Sequence, residues 1–348
     1  MRRRLAAVPA LALSMVLAAT AVSLGAPPGG QPVVPAPGPK VKIVFGQPTA
    51  PPNVVHAPVE LAKAFGLMDK FNIDLEVKDF EGSTRALTAA LTGGVDVGTL
   101  DCQNAYGNGV PFVGFYGPAP KLPQLLVARD SIKTLKDLKG RKLGLSSAPG
   151  GFVDRMNRAV LAAAGLQIGD VTQVQTTTAG RVAALVTGQT DTAVFHYEQA
   201  AKVLRTQKGF HVLYDVGQAL PNYQYHVYCA TKQFVAAHRE AIVNLVAATI
   251  LAVRYAFANR TETIRALEKI TGADPQDIGY AYAKIVTGCV WARNLGLDIA
   301  RLNWTINYEH QGGNLRNVYD VRQLLDMGIA NEALAKAGGP MPVPEGCQ

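Results

Sequence analysis

Charge, aromatic rings and cysteine are all scarce in this chain, and each scarcity removes a class of function. Charged residues make up 17% of the sequence and aromatic residues 7%. Its Lys and Arg are scattered, with no basic run and no basic patch interleaved with aromatics, which argues against nucleic acid as a partner. Cys102, Cys229, Cys289 and Cys347 lack metal-type spacing. No His-x-x-x-His pair is present to hold a hydrolytic metal, and no Gly-x-Ser-x-Gly elbow to expose a nucleophilic serine. Past the N-terminus, the apolar stretch 241–253 is too short to span a bilayer and reads as a core helix. The residues imply no cofactor and no metal.

What is there is a large apolar core behind an export signal. The chain has 348 residues, 48% of them hydrophobic, a length that favours two domains. Arg2, Arg3 and Arg4 precede an Ala- and Leu-rich run over 5–22, and small residues suited to cleavage follow at Ala19/Ala21 or Ser23/Gly25. Residues 1–25 therefore read as a signal peptide, cleaved in the periplasm; an uncleaved anchor is the alternative, because the run is near spanning length. No Cys follows directly, which argues against a lipid anchor. Residues 26–40 form a Pro/Gly-rich leader, disordered or extended. The formal net charge is +8, or three fewer, +5, without the leading arginines, a mild field that would favour an anionic ligand. In an oxidising compartment the four cysteines allow three complete pairings, of which Cys289 with Cys347 would tether the Pro-rich tail; free buried thiols are the alternative.

One phrase occurs twice. Ala-Leu-Thr-Gly-Gly-Val-Asp-Val over 90–97 reappears as Leu-Val-Thr-Gly-Gln-Thr-Asp-Thr over 185–192, with Gly93 matching Gly188 and Asp96 matching Asp191. Each copy reads as a helix closed by a glycine in the left-handed backbone region, followed at once by a strand. A helix-to-strand unit used twice so far apart predicts two similar α/β lobes with a ligand cleft between them.

The elements around the phrase agree. Strands are predicted over 41–45, 73–77, 96–100, 112–116, 124–128, 142–145, 171–174 and 191–195, with helices over 54–65, 83–92, 132–140, 152–164 and before 188. The stretch 223–230 should return to the first lobe, and the chain from 232 onward is largely helical. Ser, Thr and Gly recur where strands meet helices, at 46–54, 81–85, 146–152 and 176–180. Ser83 or Thr84, and the threonines 176–178, are expected to cap the helices they precede. In open α/β sheets ligands sit at these carboxyl ends of strands, facing helix N-termini.

Here the residues resemble a known family. The run 138–147 (Leu-Lys-Gly-Arg-Lys-Leu-Gly-Leu-Ser-Ser), the helix end at 163–166, the block 183–194 and the opening His56-Ala-Pro-Val-Glu-Leu-Ala are similar to exported ABC-transporter substrate-binding proteins. The branch resembled is the nitrate/sulfonate/taurine group with its SsuA/THI5-like (NMT1-like) relatives. The resemblance implies an α/β, two-lobe periplasmic-binding-protein fold (type II): two mainly parallel sheets flanked by helices, two crossing strands and a helical C-terminal part. Lobe 1 would comprise 41–126 plus 223–348, and lobe 2 127–222. It implies a monomer that binds a small molecule (a sulfonate, carboxylate or pyrimidine-like solute), delivers it to ABC permease subunits in the inner membrane, and is not an enzyme. Family ligand contacts fall here on Thr49, Asn53, Ser83, Thr84, Asp101, Ser147, Gly150, Phe152, His196, Tyr197 and Glu198, with His56 a further candidate where the family has a smaller or aromatic residue. Phe152 and Tyr197 would stack on a planar ligand. A solvated helix-start position is the alternative for Glu198, and Arg85 and Arg181 are the basic candidates. A binding subunit feeding a sensor, and a thiamine-pyrimidine synthesis enzyme of the same fold, are the competing functions; the enzyme would need a Cys-rich loop, which is absent.

Overall fold

A computed structural model describes residues 30–147, 149–344 and 347, so the expected signal peptide 1–25 lies outside the described residues. Ten strands among them form two five-stranded sheets. The strands are β1 (Val41–Gln47), β2 (Ile73–Asp79), β3 (Val97–Thr99), β4 (Phe112–Tyr116), β5 (Gln124–Arg129), β6 (Lys142–Leu145), β7 (Thr172–Gln175), β8 (Thr192–His196), β9 (Phe210–Asp215) and β10 (Tyr228–Thr231). The first sheet has the order β2-β1-β3-β10-β4 and the second β7-β6-β8-β5-β9. In the first, β1 lies parallel to β2 and β3, while β10 runs antiparallel to β3 and β4. The second repeats this: β6 is parallel to β7 and β8, and β5 opposes β8 and β9. The expected mainly parallel sheets are therefore mixed. Four strands of each share a direction, and the one opposed strand is the segment that crosses between sheets. Residues 223–230 return the chain to the first sheet through β10, as their position after the second strand set predicts.

The repeated phrase does the same work in both sheets. Gly93 and Gly188 both close their helices with positive φ, 78° and 83°, where a β-carbon would be strained. Three residues on, each Asp clasps the neighbouring strand by two bonds. The Asp96 N–H donates to Val44 O (2.8 Å) while its carboxylate accepts from Val44 N–H (2.8 Å). Asp191 does likewise with Lys142, at 2.8 and 2.9 Å. A peptide group at the entry of the sheet, which has no ladder partner, is satisfied by a charged acceptor instead.

Helices flank both sheets. The expected helix over 54–65 is split into a 3-10 turn, Val54–His56, and a helix, Pro58–Ala64, because Pro58 supplies no N–H to continue the turn. The expected caps differ as well. The helix Ser83–Leu91 begins from Gly82, with no side-chain cap, so Ser83 and Thr84 lie inside its first turn. The helix Arg181–Val186 begins from Gly180, and Thr177 Oγ1 accepts from the Gly180 N–H rather than from the helix itself. The helix Lys232–Ala258 is long and apolar enough by composition to cross a membrane, but 78% of its most apolar window is buried inside the protein, so it is a core helix. One continuous core joins the first sheet, this helix and the facing side of the second sheet, including Val127, Leu185 and Phe195. Further back the C-terminal helix Pro275–Thr287 packs on Tyr197–Thr206, where Arg205 makes two 2.8 Å bonds to the Asp277 carboxylate. The described part of the leader, 30–40, is extended and pinned: Val33 N–H donates to Lys336 O, and Asn72 bonds both Ala36 and Gly38.

Both cysteine pairs form disulfides, Cys102–Cys229 and Cys289–Cys347, the second tethering the tail as the sequence allows. Cys102–Cys229 is fully buried and joins the start of the helix Cys102–Gly107 to β10.

The clasp makes a stability prediction. Asp96→Ala strands the Val44 N–H and should cost about 1–2 kcal/mol, while Asp96→Asn, which keeps an acceptor, should recover much of that. Urea unfolding midpoints at constant m-value measure both; equal midpoints for Ala and the parent would remove the clasp from the account.

Candidate functional site

The carboxyl ends of the co-directional strands face one another and enclose a cavity of about 500 Å³. All four Ser/Thr/Gly junctions contribute to its lining. From the first sheet come Pro48 and Thr49 after β1, Glu81–Arg85 after β2, and Thr99, Asp101 and Gln103 after β3. From the second come Ser146, Ser147 and Phe152 after β6, Gln175–Thr178 after β7, and His196 at the end of β8. Tyr223, Tyr225, His226 and Val227, on the returning segment before β10, complete the wall.

Three imidazoles meet at its floor. His56 lies 4.2 Å (ring centroids) from His226 and 5.9 Å from His196, and Tyr225 stacks on His226 at 3.7 Å. Phe152 extends the row, 5.1 Å from Tyr225. Asn53 sits behind the floor and fixes the tautomer of His56: its Oδ1 lies 2.6 Å from His56 Nδ1, and its Nδ2 lies 3.1 Å from His196 Nδ1. An amide oxygen can only accept, so His56 carries its proton on Nδ1 and leaves Nε2 as a lone pair. That Nε2 is buried and has no partner. On His196 the Arg181 guanidinium (3.0 Å) and the Asn53 amide both face Nδ1, while Nε2 lies 3.2 Å from both the Tyr225 hydroxyl and the Gln124 amide nitrogen. Burial holds His56 down to about 3, and burial together with Arg181 and His56 holds His196 well below the ordinary histidine range. His226 is lowered likewise. The cluster is neutral. Among the described residues no group of three or more His, Cys, Asp or Glu side chains is arranged to hold a metal ion.

Two buried arginines line the cavity and differ in their partners. Arg155, on the helix Phe152–Ala163 of the second sheet, pairs across the cleft with Glu309 (2.9 Å) and Asp101 (3.5 Å). Burial opposes its charge, but Tyr223, Asp101 and Glu309 outweigh burial and hold it more basic than usual. Glu309 also accepts from the Tyr223 hydroxyl and from Asn314 Nδ2 (2.9 Å). Asp101 takes a left-handed backbone, φ 55°, as the second residue after β3, which turns its carboxylate toward Arg155. Arg181 has no such partner. Its Nη1 bonds Val194 O (3.1 Å) and Ser146 Oγ (3.4 Å), and its Nη2 bonds Gln199 Oε1 and His196. Its Nε is buried with nothing to donate to, and among the described residues no carboxylate forms an ion pair with it. Burial lowers it to about 10, against the field of Glu198, so it remains a cation at neutral pH.

Of the residues singled out from sequence, the fold brings Thr49, His56, Ser83, Thr84, Asp101, Ser147, Phe152 and His196 to the lining, with Arg85 exposed at the rim. Four stand elsewhere. Asn53 orients the two histidines from behind. Gly150 spends its N–H on Asp154 Oδ2 (2.9 Å). Tyr197 opens the helix after β8 with its ring in the shared core, so Tyr225 and His226 take the stacking place expected of it. Glu198 is neither solvated nor on the lining: it is buried, raised to about 7 by burial, and bonded to the backbone N–H groups of Val54 and of itself. Missed by the sequence reading were Arg155, Gln103, Tyr223, Tyr225 and His226. The run Tyr-Gln-Tyr-His over 223–226, three ring-bearing residues in four, was the available signal.

Two sheets of one topology, crossed by two strands and enclosing a polar cavity at their carboxyl ends, define the two-lobe periplasmic-binding-protein fold of type II. The alkanesulfonate-binding protein SsuA of Xanthomonas axonopodis pv. citri, solved with MOPS bound, has the same fold: TM-score 0.66 at 16% identity, covering 83% of this chain and 99% of that one. The nitrate-binding protein NrtA of Synechocystis PCC 6803 superposes with TM-score 0.67 at 16% identity, covering 85% and 89%. Within that class the chain belongs to the NMT1/THI5-like family, which it matches over residues 53–263. A Brucella abortus (strain 2308) protein named only as a candidate binding protein is 22% identical over 226 residues, 63% of this chain and 68% of its own.

The neutral imidazoles set a pH dependence. A folded-state value of about 3 for His56 against 6.5 in the unfolded chain means that the unfolded chain takes up the proton first. That contribution to stability is complete above about pH 6.5 and is lost as pH falls toward about 3. His56→Phe should therefore flatten the unfolding free energy against pH between 4 and 6 by about 1.4 kcal/mol per pH unit. An unchanged slope in urea titrations across that range would mean that His56 is charged in the folded protein.

Proposed function

We propose that this protein is an exported, monomeric solute receptor of an ABC importer, which captures a small organic ligand of the sulfonate, carboxylate or pyrimidine-like class and delivers it to permease subunits in the inner membrane. The observation that carries the reading is the convergence of polar groups from both sheets on one cavity. Asn53 of the first reaches His196 of the second, and Arg155 of the second reaches Asp101 after β3 and Glu309 on the helix Ile299–Gln311. A ligand there touches lobe 1 (41–126 with 223–348) and lobe 2 (127–222) together only when they are closed. Its binding energy therefore favours the closed form by differential affinity.

Capture without turnover fits the same groups. Both cysteine pairs are closed as disulfides, so among the described residues no free thiol is present to act as a nucleophile. The export signal and the character of the relatives support delivery to a permease over a soluble biosynthetic role.

A thermal-shift screen of nitrate, alkanesulfonates, aromatic acids and aminopyrimidines on the mature protein tests the reading. A ligand at about 100 times its Kd should stabilise the fold by about 2.7 kcal/mol and raise the unfolding midpoint accordingly. The same ligand should reduce the radius of gyration in solution scattering. Consumption of the ligand, or stabilisation without any change of shape, would overturn it.

A further inference from the structure

The partners of the cavity's groups narrow the ligand further, on the reading of this cleft as a capture site. Arg155 carries one positive charge and already faces two carboxylates, Asp101 and Glu309, so it has no charge to offer. Arg181 carries one and, among the described residues, makes no ion pair: Glu198 and Glu81 act on it only through their fields, and its Nε lacks any acceptor. A buried guanidinium is costly unless an anion completes it, and a single negative charge suffices here. The cation already bonds His196, whose ring lies 5.9 Å from His56. Nε2 of His56 is a buried lone pair that needs a donor, a demand no simple anion can meet. Between these two ends the wall is a row of rings, Phe152, Tyr225 and His226. Finally, about 500 Å³ is far more space than an inorganic oxyanion fills and is in the range of pockets for ring-sized molecules.

We propose that the cleft takes a planar aromatic monocarboxylate bearing a hydroxyl or amino donor: the acid group on Arg181, the ring against Phe152, Tyr225 and His226, and the donor on Nε2 of His56. The one guanidinium N–H left without an acceptor, on Nε, suits a single carboxylate oxygen as a charge-assisted hydrogen bond. The aromatic row favours a flat ring through offset or edge-to-face contact. The orphaned imidazole nitrogen makes the difference between substituted and unsubstituted rings, because a site with a buried unpaired acceptor discriminates strongly against a ligand lacking the donor.

Titration calorimetry of the mature protein with 4-hydroxybenzoate, 4-aminobenzoate, benzoate, 4-hydroxybenzyl alcohol, ethanesulfonate and nitrate provides the test. 4-Hydroxybenzoate or 4-aminobenzoate should bind at least about 10-fold more tightly than benzoate, and about 30-fold more tightly than ethanesulfonate, nitrate or the uncharged alcohol. Arg181→Gln should weaken both hydroxybenzoate and benzoate by about 100-fold, with Arg181→Lys recovering part of the loss. His56→Phe should reduce the preference for hydroxybenzoate over benzoate from at least about 10-fold to about one. The ranking on the unaltered protein decides the matter even if a variant fails to fold. Ethanesulfonate or nitrate binding as tightly as the hydroxylated acid, or the alcohol matching the acid, would overturn the aromatic-acid proposal and leave the capture reading standing. Failure of all six probes to bind would overturn the proposal, whereas the capture reading fails only if the wider screen and scattering also show nothing.

Discussion

The chain must cross between the two sheets twice without leaving peptide groups unpaired, and the rest of the architecture depends on how it does so. A strand that leaves one sheet for another carries a full row of N–H and C=O groups, and burying them unpaired would cost more than the fold has to spend. The solution is to seat each crossing strand inside the sheet, β5 between β8 and β9 and β10 between β3 and β4, antiparallel to its neighbours. Both sheets then present the carboxyl ends of their four co-directional strands to one space. The Cys102–Cys229 link lies at this point of the first sheet, beside Asp101.

That geometry sorts the charges of the cleft. Asp101, the second residue after β3, meets Arg155 from the opposite sheet, and Glu309 of the C-terminal helices reaches the same guanidinium. Arg181, ten residues before the matching clasp at Asp191, is hydrogen-bonded to neutral acceptors and the imidazole of His196. Two arginines of equal formal charge thus do different things. One joins the lobes, and the other is held as an unanswered cation beside three neutral rings. The burial that keeps the histidines uncharged also strengthens the field of that cation.

Legibility followed locality. The closing glycines and strand-opening aspartates act within a few residues of themselves, so their repetition was readable, and it pointed to two sheets of one design. The Ser/Thr/Gly junctions were readable as loops, and all four reach the cavity, but at two of them the expected caps fail: the backbone of Gly82 and Gly180 starts the helices and leaves Ser83, Thr84 and the threonines 176–178 in the lining. Strand β9 was not legible, because its side chains are half-buried along the whole length and show no alternation. Glu198 looks like an exposed acid at a helix start, and only the packing of the C-terminal helix Pro275–Thr287 over its own helix explains its burial.

By itself the sequence determined the α/β class, the doubling of the lobe and the family, because each depends on short-range patterns of glycine, aspartate and apolar residues. It also placed most of the lining, since ligand loops follow strands in order along the chain. What only the tertiary structure decided was which charges answer one another. Arg155 and Glu309 are 154 positions apart, as are few recognisable pairs, and Arg181 is distinguished by the partner it lacks. The absence of a counterion is a property of three-dimensional surroundings. No spacing along the chain records it, and it is the feature from which the chemistry of the ligand follows.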